Sequence, residues 1–403
     1  MEIFEIGLLV NKVINMDTIM LFELFFVCFF SFATLFLVRK AARQFQLVDR
    51  PNSRKLHSGN VPLAGGISIC ITLSYFIFAN YLEIDNSLVF LPLMVVLTLV
   101  GALDDKYDLS VKFRLVIQCA VAVTMMYLTG NQLESLGNLF GFGPIDVSYA
   151  SYLLTIVAVI ASINAFNMVD GVDGLLGSLS IVTFFSILIL ALVNENQSIF
   201  LLSSLTIAAI IPYLLMNLGL LGRERKVFMG DAGSMLIGFS VIWMLVSISQ
   251  PSSAESSGLG VRPVTALWII AIPLMDMAAI MIRRTKRGVS PFEPDREHLH
   301  HIFQRLGLTP IQTTFSIFMI SGLLASVGVI ADLYRVPDYI MFYSFVALFV
   351  GYYLLLSHIW KVSAYLREKF SIELKSENVL PLESTATVAN GSSDTTEYEK
   401  KAS

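Results

Sequence analysis

Residues 149–193 read YASYLLTIVAVIASINAFNMVDGVDGLLGSLSIVTFFSILILALV. Two apolar runs, each about the 20 residues needed to cross a bilayer, are separated by a few residues carrying Asp170, Gly171, Asp173 and Gly174. So short a connection between two such runs makes them antiparallel neighbours, and it holds both aspartates at rigid helix ends. The glycines permit the positive φ that a tight turn asks for.

Working outward, similar runs recur along the chain, at 19–38, 63–81, 87–103, 113–129, 149–169, 174–193, 198–217, 232–249, 263–282, 312–331 and 338–357. Composition agrees: 55% of residues are hydrophobic and 14% charged, where soluble domains carry roughly 25% charged residues. The expected fold is an all-α, polytopic integral membrane protein of about eleven transmembrane helices. Residues 1–18 form a short leading segment, 19–360 the helical catalytic domain, and 361–403 a polar, Ser/Thr-rich tail that reads as disordered. The first run has no basic region before it and no small-residue cleavage site, so it reads as a retained span. Cys28, Cys70 and Cys119 all lie inside apolar runs without metal-ligand spacing, and read as packing residues.

Basic residues assign the sides. With the N-terminus outside, the inner segments hold 24 of the 27 Lys+Arg, leaving only Lys12, Arg262 and Arg335 outside. The positive-inside rule therefore expects a periplasmic N-terminus and a cytoplasmic C-terminus.

The unusual polar groups obey the same division. RKLHSG (54–59), ALDDKYD (102–108), NAFNMVDGVDG (164–174), KVFMGDAGS (226–234) and REHLHH (296–301) each fall in a different inner loop, and the outer loops show no such grouping. Asp104-Asp105 reads plainly as a solvated helix end, or functionally as a metal-binding or proton-accepting pair. Asp173 alone could cap the following helix, but capping requires neither Asp170 nor Asn167. Asp231 starts a helix among small residues, where a phosphate and its metal can approach closely. His298, His300 and His301 follow a basic loop. Zinc binding lacks the usual spacing there, and phosphate binding by imidazole and guanidinium suits the cluster better. Asp276, inside the ninth run, is costly in lipid and so a functional candidate, either pairing with Arg283 or Arg284 or lining a cavity.

Carboxylates, cations and histidines on one membrane face suggest metal-dependent phosphoryl transfer, in which catalysis is mostly positioning and charge neutralisation. The GxxxxGK[ST] loop and the protein-kinase signatures are absent. A site at helix ends in lipid implies that one substrate is itself a lipid. An ion-coupled transporter is the rival class, but such proteins place their sites near the midplane, often between inverted repeats, and no repeat relates the two halves here. Nucleic acid is not an expected partner.

The motifs resemble the polyprenyl-phosphate N-acetylhexosamine-1-phosphate transferases. The resemblance runs from VDRPNSRKLHSGNVPLAGGIS through GALDDKYDLSVK, INAFNMVDGVDGLLG, KVFMGDAGSMLIGF and VTALWIIAIPLMDM to SPFEPDREHLHHIFQRLG, over about residues 20–360. It is closest to the branch acting with N-acetylglucosamine and undecaprenyl phosphate, because the histidines form HxHH after an SPF-PDR run, not three in succession. The acidic tail departs from the basic tail of that branch. The resemblance implies a bacterial inner-membrane enzyme that converts UDP-GlcNAc and undecaprenyl phosphate into undecaprenyl-diphospho-GlcNAc and UMP, starting O-antigen or enterobacterial common antigen synthesis. A relative using another UDP-sugar is the alternative, and a homodimer stays open. By the same resemblance, Asp231 is the Mg2+ ligand, with Mn2+ as a substitute and Asp105 a second ligand. Asp104, Asp105, His300 and His301 are the catalytic candidates. Asn167, Asp170, Asp173, Asn217 and Phe228 would line the nucleotide pocket, with Lys55, His57, Arg296 and His298 as further substrate contacts. A phosphate monoester, with a second pKa near 6, is largely dianionic at pH 7. This favours a single in-line displacement, with a two-step route through an aspartyl-phosphate as the alternative.

Overall fold

The computed structural model describes residues 18–49, 59–250, 260–290 and 298–358. Within them the chain forms α1 (Thr18–Gln44), β1 (Val48–Asp49), β2 (Val61–Pro62), α2 (Gly65–Ala79), α3 (Ser87–Tyr107), α4 (Val111–Thr129), α5 (Ser151–Val169), α6 (Leu175–Val193) and α7 (Gln197–Asn217). A single 3-10 turn (Arg223–Arg225) follows, then α8 (Gly230–Ser249), α9 (Pro263–Ile269), α10 (Ala271–Lys286), α11 (Leu299–Arg305), α12 (Pro310–Leu333) and α13 (Asp338–Ser357). The protein is an all-helical, multi-pass membrane protein, and nine of these helices are long and apolar enough to cross a bilayer. Of the segments expected at 1–18 and 361–403, all but Thr18 lies outside the described residues.

Two expected spans take a different form. The run 63–81 becomes the 15-residue helix α2, about 22 Å long against the ~30 Å of a bilayer core. The run 263–282 is no straight rod, for α9 and α10 meet at Ile270 with a bend of 82°. Pro273 supplies the reason. It has no N–H to donate and its ring crowds the carbonyl four residues back, at Ile269. Counted as one broken span, the pair brings the total to ten.

Helix α8 is the axis of the bundle: 89% of its apolar window is buried, against 17% for α13. Small residues let its neighbours close on it, as membrane helices without a hydrophobic driving force require. A Cβ on Gly66 of α2 would lie 2.1 Å from the Gly233 nitrogen, and one on Gly101 of α3 would lie 2.5 Å from the Ala232 Cα. The C-terminal turn of α3 is thereby set against the N-terminal turn of α8. Beside it, β2 runs alongside the chain before α8, with Phe228 N donating to Pro62 O (2.9 Å) and Gly65 N to Phe228 O (2.9 Å).

The opposite end of the bundle is fastened separately. There Arg262 donates to Asp332 Oδ1 (3.0 Å) and pairs with Asp338 (3.2 Å), while Thr265 donates to the same Asp332 oxygen (2.8 Å).

Candidate active site

At the first end, four of the five polar segments, from distant parts of the chain, come into contact. Asp104 and Asp105 sit in the last turn of α3. Asp104 is buried, and accepts from Leu109 N (2.8 Å) and from Arg114 Nη1 (2.5 Å). Asp105 turns the other way, its carboxylate accepting from Asp231 N (2.9 Å) and Ala232 N (3.3 Å). These are among the four amides that a helix start leaves without intrahelical partners, so Asp105 caps α8 from another helix. The approach needs glycine at 230, where φ is +72° and a Cβ would fall 2.4 Å from Asp105 Oδ2.

Asp231 faces the opening, with its side chain 35% accessible where that of Asp104 is only 3%. Its Oδ1 accepts from Asn167 Nδ2 (2.8 Å), which also donates to Ser234 Oγ (2.8 Å). Arg114 stands 3.6 Å from the other oxygen, bridging Asp104 and Asp231. Three carboxylates thus converge where α3 and α8 meet, and Asp231 lies within electrostatic reach of both others.

The α5–α6 turn supplies the next wall. Asp170 ends α5 with an exposed side chain. Asp173 pairs with Lys226 Nζ (2.5 Å), and its carbonyl accepts from Thr314 Oγ1 (2.7 Å). The Lys226 ammonium also stands 5.0 Å above the Phe228 ring, a cation–π contact. Asn217 is buried and ties this wall together, its Oδ1 accepting from Gly174 N and its Nδ2 donating to Val227 O (2.8 Å). It holds two walls in register and does not line the opening.

The histidines close the far side. His298 Nδ1 is 2.8 Å from Asp276 Oδ2, and Asp276 Oδ1 accepts from Leu299 N (3.1 Å) and Tyr352 Oη (2.7 Å). Asp276 thus pairs with His298 and orients the start of α11. His298 and His300 stack at 5.5 Å, and His301 lies 4.2 Å from His300. His300 rests on Gly171, where a Cβ would come 2.4 Å from Nε2, and its buried Nδ1 has no partner among the described residues. Burial, with His301 and His298 beside it, holds the His300 imidazole down to about 3, so it is neutral at pH 7.

Asp104, Asp105, Asn167, Asp170, Asp173, Asn217, Phe228, Asp231, His298, His300 and His301 are therefore linked through direct contacts or shared turns. Lys55, His57 and Arg296 lie outside the described residues. Arg114 and Lys226 are the side chains in contact with these acids that charge counting hid, since each reads as a membrane anchor. The one sequence sign for Arg114 is its place inside the first turn of an apolar run.

Among the described residues, no set of three or more His, Cys, Asp or Glu is arranged to hold a metal by itself. Mg2+ ordinarily takes one or two carboxylates and fills its shell with water and substrate phosphate. The accessible, hard-oxygen Asp231 beside two further carboxylates fits that habit.

A membrane-embedded helical bundle with an acid-rich centre at one end is the class these contacts define. Residues 87–249 match the glycosyl transferase family 4 profile. The chain is 45% identical over 346 residues to the undecaprenyl-phosphate alpha-N-acetylglucosaminyl 1-phosphate transferase of Yersinia pestis, covering 86% of this chain and 93% of that protein. It is similar to the enzymes of the same name from Escherichia coli K12 (46% over 345 residues, 85% and 92% covered) and Pasteurella multocida (42% over 338, 84% and 93%). The chain belongs to glycosyl transferase family 4.

Proposed function

We propose that this enzyme transfers GlcNAc-1-phosphate from UDP-GlcNAc to undecaprenyl phosphate, releasing UMP. Relatedness over most of both chains supports the reaction. The observation that carries the chemistry is the convergence of Asp231, Asp104, Asp105, Asn167 and Arg114 at the meeting of α3 and α8.

In the reaction, an oxygen of the acceptor phosphate bonds to the β-phosphorus of the donor. The bond from that phosphorus to the bridging oxygen breaks, and UMP departs as a phosphate monoester. Mg2+ held at Asp231 would neutralise charge on the diphosphate. Asn167 fixes the Asp231 carboxylate, and Asp105 holds the helix turn that presents it. Arg114, anchored by Asp104, offers its charge beside Asp231. Lys226 and Phe228 supply a cation and an aromatic face for the nucleotide. Neutral His300 serves as a hydrogen-bonding group toward the diphosphate. Both Asp104 and Asp105 are engaged by N–H donors, which supports direct displacement by the dianionic acceptor over attack by an aspartate. A cytoplasm-facing site in a bacterial inner membrane, and a product that begins O-antigen or enterobacterial common antigen synthesis, complete the reading.

Offering UDP-GlcNAc, UDP-GalNAc and UDP-MurNAc-pentapeptide in turn with undecaprenyl phosphate tests it. UMP release from UDP-GlcNAc is the expected result, and turnover only with the pentapeptide donor would overturn it.

A further inference from the structure

A cavity of about 580 Å³ opens beside the active centre and is lined by Arg39, Arg43, Asn60, Glu224, Arg225 and Lys226 among others. Arg39 and Arg43 are one helical turn apart near the C-terminus of α1, and so share a face. Both guanidinium groups donate to the Glu224 carbonyl, Arg43 at 3.5 Å, which draws a turn 181 residues further along the chain against α1. Arg43 and Arg225 are the neighbouring charges that act on Arg39. The Nε of Arg39 is buried without a hydrogen-bond partner among the described residues.

The plainer account is anchoring: cations suit both a helix C-terminus and the inner membrane boundary. It covers the presence of cations at this boundary. It does not explain why a third arginine comes from a distant turn into the field of two others, around an open volume. Three arginines and a lysine against the single carboxylate of Glu224 leave the cavity net positive, and the unsatisfied buried N–H of Arg39 is a further donor for an anion. The position of α1 selects the kind. Only 22% of its apolar window is buried, and Phe25 and Phe29, each about four turns before one of the two arginines and so near the same face, are 73% and 61% exposed. An anion reaching this cavity can therefore keep its hydrocarbon on the same helix. Basic pockets at the ends of membrane helices are suited to anionic phospholipid headgroups.

We propose that the cavity lined by Arg39, Arg43 and Arg225 binds the phosphate headgroup of an anionic bilayer phospholipid. The cavity meets the wall of the transfer centre at Lys226, but the transfer centre uses neither Arg39 nor Arg43.

The test uses the full chain in nanodiscs of phosphatidylcholine with increasing cardiolipin, bound lipid being counted by native mass spectrometry. Wild type is expected to retain cardiolipin, and R39A/R43A to need about 30-fold more for equal occupancy, as two lost cations imply. R39K/R43K should recover most of the binding, and all three proteins should release UMP equally in pure phosphatidylcholine, showing that the variants fold. Inorganic phosphate at millimolar concentration should leave the bound lipid in place. Equal retention by wild type and R39A/R43A would overturn the proposal. So would displacement of the lipid by inorganic phosphate, or by UMP, which would make the cavity a free-phosphate site or an arm of the donor pocket.

Discussion

Asp105 caps the first turn of α8, which carries Asp231, accepting the Asp231 amide at 2.9 Å and that of Ala232 at 3.3 Å. Two acids that read from the sequence as parts of one metal site thus stand in different relations to it: one faces the opening and the other holds the turn behind it.

Replacing Asp105 by Ala leaves two amides of α8 without their acceptor. The lost cap is worth about 1 kcal/mol, and a small fall in melting temperature is expected. Displacing Asp231 should lower UMP release by about 100-fold or more, the scale set by misplacing a reacting group. Asp105→Asn keeps one acceptor oxygen and should fall between. Thermal shift and turnover measured on the same preparations separate the two effects.

Gly171→Ala tests the seat of His300 by steric contact alone, since this glycine is not among the positive-φ residues. The added methyl collides with the imidazole, so the rate should drop at least about tenfold while the melting temperature hardly moves. An unchanged rate would remove His300 from the chemistry.

His300 also makes stability depend on pH. The unfolded chain protonates this imidazole below about 6.5, while the folded protein resists until about 3. Unfolding therefore takes up a proton between those values, and stability falls as pH drops through that window. Melting curves between pH 7 and 4 should show a shallower slope for His300→Gln than for wild type.

Asp276→Asn weakens the grip on His298 and on the first turn of α11. Partners that orient a functional group typically cost 10–100-fold when lost, so a rate loss of about that size is expected. Tyr352→Phe, removing one of three donors to Asp276, should cost less. Equal losses from the two variants would contradict this ordering.

Most of the bundle was legible because a bilayer demands long apolar runs: α3, α5, α6, α7 and α13 begin and end within a few residues of the expected spans. The break at Ile270 escaped because hydropathy is indifferent to backbone direction, although Pro273 marked the place. In the site, acids at helix ends stood out against an apolar background, which singled out Asp104, Asp105, Asp170, Asp173 and Asp231. What each acid does depended on partners far away in the chain. Nothing local distinguishes Asp105 as a cap from Asp231 as the accessible carboxylate, or Arg114 as the bridge between Asp104 and Asp231 from another membrane anchor.

Metal and diphosphate are expected to meet at the Asp231 carboxylate. Mg2+-dependent UMP release from UDP-GlcNAc and undecaprenyl phosphate, compared between wild type and Asp231→Asn, is the decisive measurement. Brisk release by wild type is expected, abolished by EDTA and restored by Mg2+, with none by the variant at any Mg2+ concentration. Near-normal release by Asp231→Asn would contradict it.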